Sequence, residues 1–247
     1  MGGDGFPRLI TAMEKAPSKL NSSVAPDPNA PIVGDTAWSR VLIVEGTSGV
    51  GKSTLIDQLV RRYIADRPAR KLRTLLHLTQ AHTYGPVAVD EDRKTLTVQQ
   101  NLRHLDNVVS MLEWHVLSLT AETKIKFLAV VDTLHFTHCH RPGVLNWERV
   151  SGLDHRLARL GAKLLFLHGS PQTIWERGIT PRRDEEFITG YACPKFGATL
   201  DEIHQYFVAE QERMRQQLSG TSLMYREMDV DGDFNSNVEE AYEFWLS

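Results

Sequence analysis

The run Gly46-Thr47-Ser48-Gly49-Val50-Gly51-Lys52-Ser53 matches the phosphate-binding pattern G-x-x-x-x-G-K-[ST] at every fixed position. Before it, Val41, Leu42, Ile43 and Val44 form a continuous apolar run, as expected of a parallel strand buried on both faces. After it, Leu55, Leu59 and Tyr63 recur at helical spacing. A strand, a glycine loop and a helix in this order curl successive backbone N–H groups around an anion and add the positive end of the helix. The pattern predicts a bound nucleoside triphosphate, taken as ATP, cradled by Gly46, Thr47, Ser48, Gly49, Val50, Gly51, Lys52, Ser53 and Thr54. Lys52 is expected on the β- and γ-phosphates and the Ser53 hydroxyl on Mg²⁺.

Beyond the loop the chain alternates strand and helix. Apolar runs at residues 41–44, 72–78, 126–131, 163–167 and 223–230 predict five strands. Helices are expected after the loop and over 147–160, 172–178 and 201–218. The longest has Val98, Leu102, Leu105, Val109, Leu112, Val116 and Leu119 stepping by four and three. Alternation of this kind predicts a parallel sheet with helices on both faces. At 247 residues there is room for one such domain, residues 38–247. Residues 1–37, rich in Pro, Ser, Asn and Asp, are expected to form a leader outside it.

Composition removes several partners. The formal net charge of −3 gives no basic excess, so nucleic acid is not expected. No apolar run approaches the roughly 18 residues of a membrane span, and no secretory signal opens the chain. No membrane contact and a cytoplasmic location are therefore expected. Cys139 and Cys193, the two cysteines, lie in separate segments and suit reduced thiols. Phe6 stands where a myristoylation signal needs Ser or Thr.

The strand 126–131 runs into Asp132, and in open α/β sheets ligands lie beyond the carboxyl ends of the strands. Asp132 is therefore a candidate for Mg²⁺ or its waters. Glu45, directly before the loop, either activates an acceptor hydroxyl or caps loop hydrogen bonds. Arg182 and Arg183, with Arg177 upstream, sit where a lid over residues 178–200 would let forked cations follow the transferring charge. A solvated charge run is the alternative. The run His135 to His140 invites a zinc reading, but no second ligand pair stands at the required spacing, so satisfied or substrate-lining histidines are expected.

Missing signals narrow the class. No Asn-Lys-x-Asp stretch is present to read guanine, and Thr133 replaces the catalytic Glu that a remodelling ATPase carries after its strand-end Asp. A kinase remains.

Over residues 40–246 the chain resembles the thymidylate kinase-like group of nucleotide and deoxynucleoside kinases. The likeness rests on the phosphate loop, the order of elements, Asp132, the Leu167-His168-Gly169-Ser170-Pro171 turn, the lid arginines and the strand at 225–231. It implies a three-layer P-loop NTPase fold with a five-stranded core, and a lid closing over ATP and Mg²⁺. It also implies a small-molecule phosphate acceptor held by residues 79–86, including Tyr84, and by the long helix with Arg103 and Asn107. Such kinases follow the strand-end Asp with Arg and carry another Arg in the long helix. Here Thr133 and Asn107 take those places, leaving Arg73, Arg103 or Arg141 as substitutes. The acceptor is expected to be a nucleotide or nucleoside. A metabolite or antibiotic hydroxyl, or a noncatalytic nucleotide-binding regulator, stands as the alternative. A homodimer is left open.

Overall fold

A computed structural model describes residues 39–66, 73–80, 82, 98–119, 125–140, 146–182, 197 and 199–247. The expected leader, most of the lid and much of the loop at 79–86 lie outside this set. The described residues fall in one of the chain's two units, Val33–Ser247.

Five parallel strands form one sheet: β1 (Ser39–Glu45), β2 (Arg73–Leu78), β3 (Lys126–Asp132), β4 (Lys163–His168) and β5 (Met224–Asp229), in spatial order β2-β3-β1-β4-β5. All five coincide with expected strands to within about two residues. β1, β3 and β4 are almost wholly buried because helices cover both faces, which is why they read as unbroken apolar runs. β5 closes one edge and is mostly exposed. Chain order reverses around β1, so the crevice between β1 and β3 opens at their carboxyl ends, beside the glycine loop.

Seven α-helices occur among the described residues: α1 (Lys52–Ala65), α2 (Val98–Glu113), α3 (His135–His140), α4 (Trp147–Arg159), α5 (Pro171–Ile174), α6 (Leu200–Gln217) and α7 (Phe234–Leu246). Leu42, Val44, Leu128, Val130, Leu165 and Leu167 share one face of the sheet and one core with Ile56, Leu59 and Tyr63 of α1 and Trp245 of α7. Each buried aliphatic chain there contributes about 1.5–3 kcal/mol. The alternate residues Ile43, Phe127, Val131, Leu164 and Phe166 are equally buried and point to the other face. On that side α2 and α4 are joined by Arg156, whose guanidinium forks onto Glu113 at 2.9 and 2.6 Å.

Two expected helices change pitch. The long one is α-helical to Glu113 and then continues as a π-turn, Trp114–Leu119. The widened turn is where His115 stacks on Phe127 of β3, ring centroids 5.0 Å apart, while Val116 stays buried. Likewise α5 runs into a π-turn, Trp175–Ile179. The His135 to His140 run is the helix α3. α7 was not expected at all; Asp233 caps it by accepting from the Ser236 N–H at 2.7 Å. Among the described residues, no helix is long and apolar enough to cross a membrane.

Candidate active site

β1 ends at Glu45, α1 starts at Lys52, and the loop between them takes left-handed backbone at Gly49 and Gly51, with φ of 88° and 92°. Two glycines are demanded by close approach. A Cβ on Gly46 would fall 2.5 Å from the Leu167 carbonyl oxygen, and one on Gly49 would fall 2.3 Å from the Cα of Gly178. The Gly49→Ala variant is therefore expected to displace either the loop or the π-turn and to weaken ATP binding by roughly tenfold or more. Calorimetric titration with ATP measures this, and an unchanged affinity would remove the close contact from nucleotide binding.

The loop opens on a cavity of about 450 Å³ lined by Gly46, Ser48, Gly49, Gly51, Lys52, Ser53 and Thr54. Lys52 is buried, and its Nζ donates to the carbonyls of Gly46 at 2.7 Å and Thr47 at 2.9 Å, which holds the cation over the loop. Thr47 turns away and donates to the buried carboxylate of Glu210 on α6 at 2.5 Å. The Val50 side chain joins the core.

Asp132 pairs in register with Val44, so β3 delivers its carboxylate to the loop. The Ser53 hydroxyl donates to Asp132 Oδ2 at 3.2 Å. A hydroxyl and a carboxylate converging beside a phosphate cradle are the hard oxygen donors that Mg²⁺ accepts, with nucleotide oxygens and water completing its shell. The residues fit the ion.

Opposite the loop, Gln80, Thr133 and Thr137 line the same cavity. Beneath them Glu45 is fully buried and accepts from the N–H groups of Leu134 (2.8 Å), Phe136 (3.1 Å) and Thr137 (3.3 Å) and from the Thr137 hydroxyl (2.6 Å). Burial pushes its carboxyl above the ordinary value, against the charge of His135 and these hydrogen bonds. Of the two roles open to Glu45, this geometry is that of a cap, on the start of α3. Arg103 and Asn107 lie exposed on α2 and do not line the cavity. Tyr84, Arg141 and Arg183 fall outside the described residues; Arg182 ends a 3-10 turn, Thr180–Arg182.

Arg177, which the sequence offered beside Arg182 and Arg183, lines the cavity from the π-turn; Glu176 on the same turn and Glu210 on α6 line it too and carried no sequence signal. Arg177 also borders a second cavity of about 280 Å³, floored by Val50, Leu167, Met228 and Val230 and flanked by Phe234 and Asn237. Because the two cavities share Gly51, Thr54 and Arg177, a flat apolar ring in the second would lie next to phosphates in the first. α6 is fastened to the turn after β4: Gln211 accepts from Gly169 N–H at 3.0 Å and donates to Gly169 C=O at 2.9 Å.

No protein-family model matches the chain. No curated protein matches it either. Among solved structures it is similar to the YorR protein of Bacillus subtilis in complex with phosphorylated GDP, at 14% identity and TM-score 0.46, over 83% of this chain and 94% of that one. It is also similar to a gluconokinase from Sinorhizobium meliloti 1021, at 17% identity and TM-score 0.47, over 83% and 91%. Likenesses this distant leave function to the residues of the cavity.

Proposed function

We propose that this chain is a kinase that moves the γ-phosphoryl group of ATP onto the hydroxyl of a small acceptor. The observation that carries the reading is the meeting of three chemistries in one cavity. These are the phosphate cradle with Lys52, the Ser53 hydroxyl, which lines the cavity and bonds Asp132, and the amide and hydroxyl groups of Gln80, Thr133 and Thr137. Ser53 and Asp132 would hold Mg²⁺, which neutralises charge on the β- and γ-oxygens. Lys52 and the loop N–H groups bind and orient the triphosphate, and Arg177, Arg182 and Arg183 supply forked cations at the lid side. The second cavity would take the base.

Gln80, Thr133 and Thr137 are uncharged, a wall suited to an acceptor that brings hydroxyl groups rather than a phosphate. Within the thymidylate kinase-like reading this favours a nucleoside, or another polyhydroxyl compound, over a nucleotide. The test is ADP release from ATP and Mg²⁺ in the presence of nucleosides, nucleoside monophosphates and hydroxylated metabolites in parallel. Uncharged hydroxyl compounds are expected to stimulate release most. Stimulation by monophosphates alone would overturn the acceptor class. Tight ATP binding with no acceptor effect across a broad panel would favour a noncatalytic regulator.

A further inference from the structure

Thr133, the residue after Asp132, is the one non-glycine position among the described residues with positive φ, at 64°. A β-branched side chain adopts left-handed backbone only at a cost in stability, and such strain persists where surrounding bonds enforce it. The enforcing bonds are explicit. The Thr133 N–H donates to the Val44 carbonyl at 3.0 Å, carrying the β1–β3 pairing one residue past the strand. The Thr133 hydroxyl donates to Asp132 Oδ1 at 2.9 Å and accepts from Gln80 Nε2 at 3.2 Å. Asp132 Oδ2 takes the Ser53 hydroxyl. Both oxygens of the carboxylate are thus held, one from the phosphate loop and the other from the strained residue.

We infer that Thr133 is a positioning residue for Asp132. Its left-handed backbone aims the hydroxyl at the neighbouring carboxylate, and Gln80, acting through that hydroxyl, fixes the direction of its proton. Extended backbone at 133 would turn the side chain away from the carboxylate and leave Oδ1 of Asp132 without the Thr133 bond, its orientation then set by Ser53 on Oδ2. The inference rests on the metal-side reading of Asp132 given above, and it explains why a residue that could be glycine on backbone grounds is not.

The test uses the full chain and four proteins: wild type, T133S, T133V and T133G. Two readouts are taken: the melting temperature alone, and the extra thermal stabilisation by ATP as Mg²⁺ is titrated in, against ATP with chelator. T133V and T133G should need about tenfold more Mg²⁺ for half the stabilisation, with T133S restored to the wild-type value. Because neither T133V nor T133G has a hydroxyl, a loss of Mg²⁺ response shared by both belongs to that hydroxyl and not to the methyl group, which valine keeps. Variants that respond to Mg²⁺ as wild type does would overturn the positioning role. Wild-type protein indifferent to Mg²⁺ would instead overturn the reading of Asp132, and this inference with it.

Discussion

The Lys52→Ala variant should lose phosphoryl transfer by about 10²- to 10³-fold. Lys52 is a buried cation at the base of the phosphate cavity, tied to two carbonyls of its own loop. As negative charge shifts onto the β,γ-bridging oxygen during transfer, a fixed ammonium in a poorly hydrated site stabilises it far more than water can. Truncation also removes the two bonds to Gly46 and Thr47, so the loop loses a brace. Steady-state ADP release with a confirmed acceptor, alongside calorimetric ATP binding, separates the two effects. A variant with near wild-type turnover would remove the loop from catalysis.

The largest stability effect is expected at Asp154→Ala, a loss of about 3–5 kcal/mol. Asp154 is fully buried on α4, where it accepts from His135 Nε2 at 2.9 Å, the Thr221 hydroxyl at 2.6 Å and the Ser222 N–H at 2.7 Å. One carboxylate therefore ties α3 and α4 to the turn that leads into β5. Alanine would leave the buried His135 without its acceptor, while half-buried Thr221 and exposed Ser222 could turn to water. Urea unfolding should show a lower midpoint at unchanged slope. Burial alone would raise this carboxyl, but the His135 hydrogen bond and charge, with Thr221 and Ser222, outweigh it and hold it below the ordinary range. With a folded pKa below the unfolded value near 3.9, the stabilisation is complete above about pH 4 and is lost as pH falls through the folded pKa. Asp154→Asn should flatten the acid limb of the stability curve, and an unaltered limb would show that the acid sensitivity resides elsewhere.

What the sequence made legible follows from how each element is buried. β1, β3 and β4 are covered on both faces, so composition alone exposes them, and the glycine spacing of the loop is itself a geometric demand. α7 was legible and passed over: Val238, Ala241, Tyr242 and Trp245, buried with Phe244, recur at helical spacing, with Glu239, Glu240 and Glu243 on the other face. The π-turns at Trp114 and Trp175 leave no mark on spacing, since a hydrogen-bond slip of one residue changes which groups pair but not which residues are apolar. Asp132 was legible from its place at a strand end. Gln80, Thr137, Glu176 and Glu210 were not, because their roles depend on contacts between distant segments; Thr47 and Glu210 are 163 positions apart. Arg103 and Asn107 sat on a correctly read helix, but helical periodicity locates the buried stripe without saying which polar face meets a cavity.

The contact between Gly49 and Gly178 has a mechanical meaning. Where side chains meet, a small shift is absorbed by rotamers; where two main chains meet with nothing between them, there is no such slack. Any displacement of the π-turn Trp175–Ile179 must therefore be passed directly to the backbone of the glycine loop. Stiffness here comes from what both residues lack, which makes the junction indifferent to side-chain variation around it and intolerant of a single added methyl group within it.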